Sequence, residues 1–279
     1  MIVIKHCEQM HTQMHRWQSE HVVLVPTMGN LHEGHKQLIQ RAQSLGTRVV
    51  VSIFVNPIQF NETSDYDLYP RTYYDDLKLL ESLKVDAVFA PSETEMYPSG
   101  KPSHPIIPTP IVATDFCGRH RPGHFDGVCT VVARLFEIIP AQTAVFGEKD
   151  YQQCLVIQAL VKTLNLAMDI ICVETLREPD GLAYSSRNQH LSDEQRLIAP
   201  WLYKTLTQAR LDYSYDKRQE IQIKSKKILE NHGFEVEYLR LCDASNLSEI
   251  HSNTQRIVIL CATWLGHTRL IDNVLFQNS

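Results

Sequence analysis

The chain has 279 residues, 43% of them hydrophobic and 21% charged, with a formal net charge of -5. That is a globular composition too long for one small domain, and its acidity argues against a nucleic-acid surface. No apolar run approaches the roughly 20 residues that span a bilayer, and no long apolar segment follows Lys5 to make a signal peptide, so no membrane partner is expected.

The elements follow in chain order. Residues 1–20 predict a short strand and a helix over 6–19. The apolar run at 22–25 is a buried strand. Leu31, His35, Leu38, Ala42 and Leu45 then fall on one helical face, and Gly46 stops the helix. Residues 48–55 (RVVVSIFV) lack alternation, as expected of a parallel strand covered on both faces. A helix over 73–83 and a strand over 85–90 follow. Two β–α–β units in succession predict a doubly wound parallel sheet. Residues 91–113 are Pro-rich and read as a loop. A helix over 128–139, a strand over 143–146, a helix over 151–164 and a strand over 169–174 continue the alternation. Then the pattern changes. Residues 177–188 are polar, two helices are expected over 193–210 and 216–231, and three strands over 236–242, 256–261 and 269–274 close the chain. The expected class is α/β with a smaller α+β part, divided into 1–175 and 176–279.

The seven cysteines, Cys7, Cys117, Cys129, Cys154, Cys172, Cys242 and Cys261, are odd in number, widely spread and form no C-x-x-C pair. They imply thiols in a reducing cytoplasm rather than a disulfide framework or a structural zinc site.

Polar clusters end four of the strands: 27–35, 56–60, 147–150 and 177–187. In an open α/β sheet the ligand sits beyond the carboxyl ends of the strands, so these clusters are candidates for one crevice. His32 and His35 flank a glycine at a strand–helix turn. A helix start there offers free N–H groups and the positive end of a dipole to phosphate. The turn is therefore expected to hold a nucleotide phosphate between backbone amides and imidazoles, and His35 could carry a proton or a positive charge. H-E-G-H lacks the spacing of the zincin H-E-x-x-H, and no third ligand is evident, so no metal site is expected. Gln59 follows an Asn-Pro turn and can both donate and accept, which suits a carboxylate and hydroxyl substrate. Lys149 can neutralise phosphate charge, while Asp150 serves equally well as a helix cap. Gln153 shares its face. Ser185, Ser186 and Arg187 suit an anion, or else form a flexible, solvated link. Arg119, His120 and Arg121 read as a basic loop.

PTMGNLHEGH (26–35), FVNPIQF (54–60), YPRT (69–72), RPGHFDGV (121–128), FGEKDYQQ (146–153) and DGLAYSSRN (180–188) together resemble the pantothenate synthetase (pantoate–β-alanine ligase) family, within the H-x-G-H nucleotidyltransferase superfamily. The closing RLIDN (269–273) is similar too. H-x-G-H alone is shared across the superfamily, whereas the set in this order is specific. The resemblance implies a Rossmann-like first domain, a C-terminal lid and a cytoplasmic homodimer. It implies that pantoate attacks the α-phosphate of ATP and that β-alanine then displaces AMP. It assigns Met28, Gly29, Asn30, Leu31, His32, Glu33, Gly34 and His35 to ATP, with His35 as proton donor. Gly147, Glu148, Lys149 and Asp150 would also hold the nucleotide, as would Leu176, Tyr184, Ser185, Ser186 and Arg187. Catalysis would rest on His35, Lys149 and Arg187. Gln59 would bind pantoate and β-alanine, Gln153 pantoate, and Mg²⁺ would bridge phosphate oxygens. Tyr184 stands where Met or Leu is usual, and Arg119-His120 is more basic than usual, with no role assigned. The competing readings are another H-x-G-H nucleotidyltransferase and a nucleotide-binding module without turnover.

Overall fold

The computed structural model describes residues 1–61, 66–100 and 111–278. They fall into two compact units, Met1–Glu148 with Val156–Glu174, and Lys149–Leu155 with Thr175–Ser279.

The first unit is built on a parallel sheet ordered β1-β4-β3-β2-β5-β6. Its strands are β1 (Ile2–Ile4), β2 (Val22–Thr27), β3 (Arg48–Ile53), β4 (Ala87–Phe89), β5 (Thr143–Gly147) and β6 (Asp169–Val173). Val22–Val25 are all buried, as are Val49–Val51 of β3. A strand that buries successive residues must be covered on both faces, which explains its unbroken run of apolar, mostly β-branched side chains. On one face Val23, Val25 and Val51 pack with Ile39, Ala42 and Leu80 of the helices. β2 pairs with β3 on one side and with β5 on the other. The chain therefore winds outward from β2 in one direction, then returns and winds outward from β5 in the other. The switch point of this sheet lies between the ends of β2 and β5.

The second unit holds an antiparallel sheet, β7 (Glu235–Asp243), β8 (Arg256–Leu265) and β9 (Thr268–Gln277). Gly266, at φ +57°, begins the two-residue turn between Leu265 and Thr268, where a positive φ favours glycine. Leu202, Leu206 and Leu229 of its helices pack on Ile257, Ile259 and Cys261. The parallel sheet and the smaller α+β unit are the expected architecture. Among the described residues no helix is long and apolar enough to cross a membrane.

Four expectations need correction. The helix expected over 193–210 is two helices, Asp193–Ile198 and Trp201–Leu211, because Pro200 has no N–H to continue the ladder. The helix expected from 128 begins at His124, after Gly123 in the left-handed region. The loop expected over 91–113 contains a helical turn, Glu93–Met96, started by Ser92, whose hydroxyl accepts from Glu95 N–H; its residues 101–110 lie outside the described residues. The helical face expected to open at Leu31 begins at Glu33, with His32 as the residue just before the helix.

Candidate active site

The turn after β2 carries the two histidines. His32 is extended (φ -138°, ψ 179°) and caps α2 (Glu33–Leu45). Its Nδ1 accepts the Gly34 N–H at 3.2 Å, and Nδ1 of His35 accepts the His32 N–H, also at 3.2 Å. The imidazoles thus do the work that Ser and Glu do in an ordinary capping box. This fixes their tautomers, since a neutral ring whose Nδ1 accepts carries its proton on Nε2. Both rings, with centroids 4.1 Å apart, are therefore Nε2–H donors, and protonating Nδ1 would set two N–H groups against each other.

The backbone amides here have partners within the protein. Gly29 N–H donates to Thr27 Oγ1, Asn30 and Leu31 N–H to the Asp76 carboxylate, and Lys36 N–H to the His32 carbonyl. With those of His32 and Gly34, six N–H groups along the turn are engaged. The backbone amides expected to cradle a phosphate are thus bonded within the protein at these positions, to the Asp76 carboxylate, the two imidazoles, the Thr27 hydroxyl and the His32 carbonyl. Glu33 is exposed and pairs with Lys36 at 3.4 Å.

Gln59 lies beside this turn. It ends the 3-10 turn Pro57–Gln59 after β3 and is 9% exposed. Asn56, buried, donates to Gln59 Oε1 at 3.0 Å and to the Gly127 carbonyl at 3.1 Å. Tyr97 donates its hydroxyl to Asn56 Oδ1 at 2.8 Å. Burial pushes the Tyr97 phenol up, so it remains an O–H donor. With Oε1 occupied, Gln59 presents Nε2 as donor, and Nε2 reaches Met28 Sδ at 3.2 Å. His124 Nδ1 binds the Gln59 carbonyl at 2.8 Å, which gives the RPGHF segment a place against this turn. Gly127 must be glycine here, since a Cβ would stand 2.4 Å from the Ile58 carbonyl oxygen. A cavity of about 270 Å³ in the same unit is lined by Met28, Gly29, Phe54, Thr72 and Asp76. Arg71, also on its wall, is bound by the carbonyls of Tyr66, Asp67 and Tyr69. Gly147, at the end of β5, has Leu38 of α2 as its neighbour.

The other candidates belong to the second unit, apart from Glu148, which opens the 3-10 turn Glu148–Asp150. Lys149 is half-buried, its carbonyl taken by Asn273 Nδ2 at 3.1 Å, while Asp150 is exposed and Gln153 half-buried. Residues 177–188 are not the solvated link that their polarity suggests, because they are bound together. Arg177 makes two bonds to the Asp272 carboxylate, at 2.7 and 2.9 Å, and stacks on Tyr203. Arg196 pairs with Glu178 and Asp180, each at 2.6 Å. Burial raises the Asp180 carboxyl, and the Arg196 guanidinium with the Leu182 N–H outweighs it and holds it below the usual range. Tyr184 N–H donates to the Leu176 carbonyl, and Ser185 Oγ accepts the Arg187 N–H to start a 3-10 helix, Ser186–His190. Arg119 pairs with Asp115 at 3.2 Å on the surface.

Sequence reasoning missed Asp76, Asn56 and Tyr97. Asp76 left one trace. It stands four residues before Leu80, so the pattern puts a carboxylate on the apolar face of its helix.

The family model for pantoate–β-alanine ligase matches residues 2–275. A pantoate–β-alanine ligase of Schizosaccharomyces pombe is 43% identical over 278 residues, covering 98% of each chain. A pantothenate synthetase of Idiomarina loihiensis is 45% identical over 271 residues, 96% of each. Among solved structures, pantothenate synthetase from Thermus thermophilus superposes with a TM-score of 0.88 at 37% identity, covering 98% of this chain and 99% of that one. The ligase of Francisella tularensis, solved with β-γ ATP and β-alanine, gives 0.83 at 37%, covering 99% and 97%. A family model spanning nearly the whole sequence, with relatives at 43% and 45% identity over 98% and 96% of their length, establishes that this chain belongs to the pantoate–β-alanine ligase family.

Proposed function

We infer that this chain joins pantoate to β-alanine at the expense of ATP, through a pantoyl adenylate, with release of AMP and pyrophosphate. A pantoate carboxylate oxygen attacks the α-phosphorus, and the bond to the bridging oxygen breaks as pyrophosphate leaves. The amine of β-alanine then attacks the acyl carbon, and AMP carries away the electron pair of the bond that breaks. The observation that carries this reading is the pair of imidazoles, His32 and His35, held by their Nδ1 atoms in the turn at the switch point of the parallel sheet. They suit an oxyanion whose charge shifts during reaction, as donors held in place beforehand.

Adenylation needs positioning and charge neutralisation rather than a covalent nucleophile. Burial agrees, raising Cys129 to about 12 and Cys7 above its ordinary value, which keeps these thiols from acting as thiolates. Gln59, its oxygen taken by Asn56, offers Nε2–H to the carboxylate of pantoate, with Gln153 as a second amide for that substrate. Lys149 and Arg187 supply cations to the phosphates, and Gly147, Glu148, Asp150, Leu176, Tyr184, Ser185 and Ser186 complete the nucleotide set. Mg²⁺ enters with the nucleotide. It would be held mainly by phosphate oxygens and would neutralise their charge. The buried thiols accord with a reducing cytoplasm, and the family resemblance supports a homodimer.

The test is exchange of labelled pyrophosphate into ATP. Exchange is expected only when pantoate is present. Exchange without pantoate, or with another acid alone, would point to a different H-x-G-H transferase and overturn the reading.

A further inference from the structure

The backbone of the histidine turn is not one the chain adopts cheaply. Gly29 and Asn30 are both left-handed, at φ +78° and +50°, and a non-glycine such as Asn30 persists there only where its surroundings over-determine it. Asp76 supplies that constraint. It lies on the helix Tyr73–Ser82 and is 3% exposed. Its Oδ2 accepts the Asn30 N–H at 3.0 Å and its Oδ1 the Leu31 N–H at 2.8 Å. Thr72 Oγ1 stands 3.2 Å from both oxygens. Among the described residues no lysine or arginine pairs with Asp76, so backbone dipoles meet its charge. The fit is close, since a Cβ on Gly29 would stand 2.9 Å from Oδ2.

We propose that Asp76 is the positioning residue of the nucleotide turn. It holds the N–H groups of Asn30 and Leu31 on its own side and fixes the turn so that the rings of His32 and His35 face the phosphates. The inference rests on reading residues 28–35 as the ATP site. Its energetic basis is that hydrogen bonds to a charged acceptor are about twice as strong as neutral ones. An asparagine in the same place could accept from only one of the two amides, and its own NH₂ would oppose the other.

The experiment compares Asp76→Asn and Thr72→Val with the unaltered enzyme in pantoate-dependent pyrophosphate exchange, after a cooperative melt has shown each variant folded. Asp76→Asn is expected to raise the KM for ATP tenfold or more and leave the KM for pantoate within twofold. Thr72→Val, which releases the hydroxyl that meets both the carboxylate and Asn30 Oδ1, should raise the ATP KM a few-fold in the same selective way. Loss of stability alone would lower the active fraction and kcat and leave both KM values in place. A folded Asp76→Asn with unchanged ATP KM overturns the proposal; should it not fold, an unchanged ATP KM in Thr72→Val does so. His35→Ala separates the two levels. If it too leaves adenylation unchanged, the reading of the turn as the ATP site fails. If it abolishes exchange and the Asp76 and Thr72 variants do not alter the ATP KM, only the role of Asp76 is lost.

Discussion

Tyr97 heads a buried chain of three side chains, hydroxyl to Asn56 and amide to Gln59. An amide is nearly symmetric in shape, so without Asn56 the Gln59 group could turn and offer oxygen where nitrogen now stands. Tyr97→Phe removes the donor to Asn56 Oδ1 and leaves a buried acceptor unsatisfied, at a cost of about 1–3 kcal/mol. The expected result is a several-fold rise in the KM for pantoate with that for ATP unchanged, measured by exchange at varied pantoate. An equal rise in both would mean that Tyr97 acts through the fold at large. His32, His35 and Gln59 were legible in the sequence because each lies in a short stretch whose spacing already shows a strand end and a turn. Asp76 and Tyr97 were not, because their partners lie 46 and 41 residues away in the chain, and only the folded sheet brings them together.

Elements were legible where one physical signal governs. The apolar runs of β2 and β3 read as covered strands because burial on both faces forbids alternation. The segment after residue 176 defeated the same method. Its polar residues suggested a solvated link, yet they bind each other as ion pairs, and pairing between distant charges leaves no period to detect. Arg177 and Asp272 join that segment to β9 with little solvent access, the side chains being 17% and 3% exposed. Breaking such a pair strands a buried charge, at about 3–5 kcal/mol. Asp272→Ala is therefore expected to lower the denaturation midpoint of the second unit, which a urea titration would show. A variant as stable as the parent would mean that water solvates Arg177 in place of its partner. Pro200 shows the converse limit, where periodicity ran on through a residue that cannot donate to the helical ladder.

At the scale of the whole molecule, the alternation of strands and helices disclosed a parallel sheet but not its order, since that depends on which strands pair. Strand order is what places the ends of β2 and β5 side by side, and so turns scattered motifs into neighbours. The cysteines, by contrast, were read simply as reduced thiols, and their distribution has a use of its own. Six of the seven are buried and Cys172 is half-buried. They form a clock distributed through the fold, in which a thiol reagent marks Cys172 first and reaches the others as the structure opens. A ligand at a hundred times its dissociation constant stabilises the closed form by about 2.7 kcal/mol, on the order of a hundredfold in the open population. ATP at that level should slow the labelling of Cys129 by up to that factor, read by mass spectrometry over time. Labelling at an unchanged rate would mean that ATP does not bind the folded chain. The enzyme thus carries its own reporters of substrate binding, with no dye or tag to be added.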